Sequence, residues 1–229
     1  MSTLTARLSD YLAGRPRLAR AVVWLRGRRY LITELARGPE VAPLAVVIAH
    51  QRGDASHARR VAHALEQDWL EAPPSCHEAY EAVLAGSPDL IVLVLRRRNR
   101  CGCLGHRHPT VREEPFRLTH EGFGAGTVGE IDIAWQRVEA WPALPLEETA
   151  LDARFFEGSR LDEFRERQSR LRLLSVFLHE TNHLVNPHEP EESVRARSIA
   201  FYREALSNYV EEACATMSFT IDRSFSRME

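Results

Sequence analysis

Residues 179–183 read His-Glu-Thr-Asn-His, an H-E-x-x-H pattern. On a helix, positions i and i+4 share a face, so His179 and His183 can present two imidazoles to one metal ion. Glu180, next to the first histidine, is placed to take a proton from a water activated by that ion. The competing reading is a pair of ordinary histidines near a helix end, satisfied by water or backbone carbonyls. The preceding stretch favours the metal. Residues 161–178, LDEFRERQSRLRLLSVFL, contain no Gly or Pro and repeat apolar side chains at Leu161, Phe164, Leu171, Leu174 and Leu178. The last turns are apolar almost all round, which marks a buried helix. Histidines and a glutamate at the end of such a helix need partners, because unsatisfied polar groups are costly there.

A catalytic zinc usually takes three protein ligands and keeps an open position for water. The helix is expected to stop near Asn186-Pro187, and a second helix to run from about Glu191 to Met217. On it Glu204, Asn208 and Glu211 share a face by the i, i+4, i+7 rule. Glu204 is placed to reach the metal, and Asn208 to orient a ligand from one turn away. Glu189, His188 and Glu211 rank behind Glu204 as third ligand. The competing reading of Glu204 and Glu211 is a solvated face, opposite an apolar stripe of Tyr202, Leu206, Tyr209 and Ala213.

H-E-x-x-H followed by Glu204 and then Tyr209-Val210-Glu211 resembles the gluzincin metallopeptidases, and most nearly the ligand helix of the aminopeptidase N group. The resemblance covers about residues 179–212 and implies a zinc held by His179, His183 and Glu204, with Glu180 as general base. Arg203 and Ala205 stand where that group has Asn and Gly, and its G-x-M-E-N segment has no counterpart. Only 25 residues follow Glu204, so the likeness is to a minimal gluzincin. A metzincin pattern competes: Asn186 and Glu189 occupy its Gly and third-ligand positions, and Thr216-Met217-Ser218-Phe219 resembles a Met-turn.

Cys101-Gly102-Cys103-Leu104-Gly105-His106-Arg107-His108 is the second chemically loaded segment. Cys101, Cys103, His106 and His108 could build a structural zinc clasp. Alternatively, Arg100-Cys101-Gly102 resembles the cysteine switch of matrix metalloproteinases, in which a thiolate caps the catalytic zinc. The third reading is a glycine-rich loop with incidental thiols. Either functional version expects the segment to border the catalytic cleft.

Composition bounds the rest. The chain has 229 residues, 44% of them hydrophobic, enough for one ordinary domain. A net charge near −2 makes no electrostatic claim on nucleic acid or membrane. All 30 basic residues are arginine, as a GC-rich bacterial genome would produce. Arg7, Asp10, Arg15, Arg17 and Arg20 interrupt any signal-peptide core, and no run of about 18 apolar residues occurs. The expectation is a cytoplasmic protein with its four cysteines reduced.

The elements that must position the motif read as α/β, in the α+β sense: a zincin-like small mixed sheet with backing helices, then the metal-binding helix and a ligand helix. Residues 1–35 are an N-terminal extension, 36–138 hold the sheet and backing helices, and 159–217 the metal-binding helices. Within this single domain, 2–13 reads as a helix. Ala21–Leu25 and Tyr30–Leu35 read as a strand pair, and Leu44–Ala49 and Leu90–Leu95 as buried strands joined by a parallel crossover through helices at Ala55–Leu70 and Cys76–Leu84. Residues 97–127 read as irregular, and the alternating Gly129–Trp135 as an edge strand able to pair with an extended peptide. No G-x-G-x-x-G follows the first buried strand, so nucleotide binding has little support.

The expected function is zinc-dependent hydrolysis of a peptide or small amide, with Glu180 serving the water and then the leaving amine. His188, His120 and Tyr209 are oxyanion candidates by chemistry. A non-catalytic metal-binding regulatory module, or a ligand-binding α/β domain carrying H-E-x-x-H by accident, are the alternatives.

Overall fold

The computed structural model describes residues 29–38, 41–98, 103–107, 112–116, 124–139 and 158–225. The segments 2–13 and Ala21–Leu25, together with Cys101, His108 and His120, lie outside them.

The fold grows from two short apolar runs. β2 (Leu44–His50) is buried at every position, and β3 (Leu90–Arg96) nearly so. Strands covered on both faces suit the interior of a sheet, and the pair is parallel, with Val46 beside Ile91 and Ile48 beside Leu93. A parallel pair needs a long crossover. Here it comprises a turn at Arg52–Asp54, helix α1 (Ala55–His63), a π-helical turn (Ala64–Asp68) and helix α2 (Pro74–Ala85). The expected single helix over 55–70 is therefore interrupted: Trp69 N–H bonds Ala64 C=O at 3.0 Å, five residues back. That turn carries Asp68, fully buried, to the helix described below.

β1 (Arg29–Leu35) pairs antiparallel with β2, so this end of the expected extension belongs to the sheet. β6 (Gly124–Ala134) runs parallel to β3 and antiparallel to β4 (Gly105–Arg107) and β5 (Arg112–Phe116). The strand order is β1-β2-β3-β6-β4, with β5 on β6 beside β4. This corrects the expected edge strand: 129–134 is interior, and the edge comes from the segment expected to be irregular. The alternation in β6 reports its two faces and not its place in the sheet. Ile131 and Ile133 enter the main core, whereas Asp132 turns the other way to meet Arg96 at 3.0 Å. Trp135 opens a short helix, α3 (Trp135–Glu139).

Helix α4 (Ser159–Val185) crosses the core face of the sheet, and α5 (Glu191–Phe225) folds back antiparallel along it. Tyr80, Phe164 and Phe177 are the largest side chains buried between these layers. The helix–sheet approach depends on glycine. A Cβ on Gly129 would come within 2.8 Å of Leu184, and one on Gly105 within 2.4 Å of Glu180 Oε1. Among the described residues no helix is long and apolar enough to cross a membrane.

Candidate metal centre

The turn between α4 and α5 decides what faces the histidines. Asn186 N–H bonds Asn182 C=O at 2.7 Å, closing α4, and Pro190 C=O accepts from Val194 N–H at 3.2 Å to open α5. Such a short connection fixes antiparallel pairing from its midpoint outward. His183 therefore meets Glu191, His179 meets Ser198, and Phe164 stacks on Tyr209. Glu191 Oε2 lies 2.9 Å from His183 Nε2, Glu191 Oε1 lies 3.5 Å from His179 Nε2, and the two Nε2 atoms are 3.2 Å apart. These donors form a group that could hold a metal ion.

The donor chemistry fits such an ion. Ser198 Oγ donates to Arg195 C=O at 2.9 Å and so presents a lone pair to His179 Nδ1 at 3.4 Å. In the tautomer with its proton on Nδ1, the Nε2 lone pair is the one that faces the donor group. Burial lowers the His179 pKa, with Glu191 opposing, and so favours the neutral imidazole that a metal requires. Two imidazole nitrogens and a carboxylate oxygen converging on one point need a shared cation or proton. Tetrahedral zinc with bonds of about 2.0–2.1 Å separates its ligand atoms by about 3.3 Å. The two Nε2 atoms stand 3.2 Å apart, near that value, and each faces its own Glu191 oxygen, at 2.9 and 3.5 Å.

Glu180 sits beside this group at 7% exposure. Burial, with the Glu191 charge adding, pushes its carboxyl up to about 7, while the Arg107 charge and main-chain N–H pull it down. A base poised near neutrality is what proton transfer to and from water requires. Its seat is the missing side chain of Gly105. Gly105→Ala is expected to lower stability by about 1–3 kcal/mol through overpacking and to displace the carboxylate. Metal stoichiometry should stay as in the wild type, because no donor is touched. Thermal unfolding and metal analysis of the variant check this; an unchanged melting temperature would show that Glu180 does not pack against β4.

The remaining site expectations fall differently. Glu204 is exposed and accepts a hydrogen bond from Ser75 at the start of α2, and it is not among the converging donors. The reason is the pairing just described. Glu204 lies 13 residues beyond Glu191, about 20 Å along the helix at 1.5 Å per residue. Glu191 takes the position expected of Glu204.

Glu189 is not among the converging donors either. Its Oε1 accepts from Ser193 and Arg197 at 2.8 Å each, and its Oε2 from Asn182 at 2.8 Å and Arg197 at 3.3 Å. Those bonds, Asn182's first, hold its carboxyl down at about 2 and make it the clamp of the hairpin. His188 is exposed on the turn, outside the donor group. Asn208 bonds Glu212 at 3.0 Å along α5, and Glu211 is exposed. Tyr209 packs under Arg167 near the start of α4, where burial raises its hydroxyl pKa, and it is not among the residues lining the cleft described below.

Cys103, Leu104, Gly105 and His106 do border the cleft, a space of about 980 Å³ above the histidines. Cys103 is disulfide-bonded, against the expectation of reduced thiols, and so offers no thiolate to a metal as a cap or a clasp. Cys76, at 1% exposure, and the half-exposed Cys214 are free. Sequence reasoning also missed Glu191, Ser198 and the two cleft arginines, Arg107 and Arg195. The spacing of Glu191 from the Asn186-Pro187 stop was the signal that could have found it. No family model, curated protein or solved structure matches this chain.

Proposed function

We propose that this protein is a zinc-dependent hydrolase of the gluzincin type, with His179, His183 and Glu191 as ligands and Glu180 as general base, acting on a peptide or amide bond. The observation that carries the reading is the meeting, in one cleft, of three metal donors with a buried carboxyl at about 7. A zinc bound there supplies a Lewis acid that acidifies water and polarises a carbonyl. The protein's own part is to hold that water beside Glu180, which takes its proton and returns it to the leaving nitrogen. Ser198 stands at His179 Nδ1, and the Glu189 clamp fixes the hairpin that brings Glu191 to the histidines.

The edge of the sheet supports an extended substrate. Ala134 N–H bonds Leu104 C=O at 2.8 Å, so the alternating pattern turns the Gly105 and Arg107 main-chain groups away from β6. Arg107 N–H already reaches Glu180 across the cleft, and Gly105 leaves main-chain groups for a peptide laid alongside β4. A small amide would use the same chemistry without that strand.

Metal analysis tests the ligand set. The wild type is expected to hold one zinc per protein molecule. Glu191→Ala should weaken binding by more than about 100-fold, beyond the 10–100-fold typical of losing an outer partner. Glu204→Ala should bind as the wild type does. The reverse pattern would remove Glu191 from the site.

A further inference from the structure

The cleft holds charges that the hydrolytic chemistry does not use. Arg107 is on β4 and Arg195 on α5, and both line the cleft together with the α4 histidines. Arg107 pairs with Ile131, a core residue, which directs its side chain to the face where α4 lies. Arg195 falls one turn after Glu191 and three residues before Ser198, on the α5 face turned toward the histidines.

Three carboxylates lie nearby: Glu180 feels the Arg107 charge without an ion pair to it, and the other two are committed elsewhere. Glu189 is saturated by Arg197, Asn182 and Ser193, and Glu191 belongs to the two histidines. Among the described residues neither the Arg107 nor the Arg195 guanidinium has an ion-pair or side-chain hydrogen-bond partner. Two like charges facing one cleft repel each other and gain from an anion between them. Guanidinium is the group best shaped to take a carboxylate through paired N–H donors.

We propose that Arg107 and Arg195 form a carboxylate-recognition pair that selects substrates carrying an anionic group next to the scissile bond. This rests on the hydrolase reading above and deepens it, since it names the substrate class. The carboxylate has two possible sources, the C-terminus of a peptide or an acidic side group within it, and both would sit between the same guanidinium groups.

The test uses zinc-loaded protein of verified stoichiometry and succinyl hydroxamates coupled to alanine with a free carboxylate, to alaninamide, or to aspartic acid α-amide, whose side-chain carboxylate is free. The hydroxamate anchors each probe on the metal, and calorimetry reads affinity without any need for turnover. One of the two carboxylate probes should bind about 10- to 100-fold more tightly than the alaninamide, as charged hydrogen bonds to arginine allow. The free-acid probe winning identifies the C-terminus as the source, and the aspartyl probe winning identifies an acidic side group. In Arg107→Ala and Arg195→Ala the ratio of carboxylate-probe to alaninamide affinity should shrink while zinc content stays unchanged. Equal binding of all three probes, or a preference that survives both substitutions, overturns the recognition pair and leaves the metal site standing. Failure of the wild type to hold zinc overturns the hydrolase reading, and this inference falls with it.

Discussion

Glu180→Gln is expected to keep its zinc and to lose at least about 100-fold in turnover. The substitution preserves shape, so the carboxamide still fits the recess at Gly105 and the histidines keep their positions. It removes the carboxyl that the proposed mechanism uses to carry a proton between water and leaving nitrogen. The measurement is hydrolysis of a peptide library by wild type and variant, with metal content determined on the same samples. Equal zinc and a lost rate would separate the base from the ligands. Equal zinc and an unaltered rate would move the protein toward a metal-binding module that does no chemistry through Glu180.

The second large effect lies away from the cleft. Asp68, fully buried on the π-helical turn, receives Arg170 at 2.8 and 3.1 Å and Arg167 at 2.9 Å. Both arginines belong to α4, so this carboxylate ties the helix that carries His179 and His183 to the crossover beneath it. Asp68→Ala would leave two largely buried guanidinium groups without their shared counter-charge, and breaking such a pair costs about 3–5 kcal/mol. Glu71, bonded to Arg167 at 2.6 Å, cannot compensate for Arg170. Urea unfolding should show a lower midpoint with an unchanged slope. A loss under about 1 kcal/mol, the worth of an exposed pair, would show that these charges are solvated and do not anchor the helix.

The H-E-x-x-H helix, its end at Asn186 and the helix starting at Glu191 were legible in the sequence. So were both buried strands and their parallel crossover. Each of these rests on local physics: 3.6-residue periodicity, a proline stop, or a short apolar run that only an interior strand can satisfy. The identity of Glu180 as the buried carboxyl beside the histidines was legible for the same reason, since helix geometry alone puts it there.

The third donor was not. Glu191 and Glu204 are both glutamates on one helix, and periodicity cannot choose between them. The choice belongs to the α4–α5 turn, which sets the antiparallel pairing and carries Glu204 past the histidines to Ser75. The cleft wall is likewise a tertiary result. Nothing in the alternation of β6 says which strand lies beyond it, and the short β4 shows no period of its own, so only the pairing of His106 with Asp132 places Gly105 and Arg107 over Glu180. Local sequence determines which atoms a single helix can present together. Which atoms from other elements meet them depends on turn length and strand order, through contacts between residues far apart in the sequence.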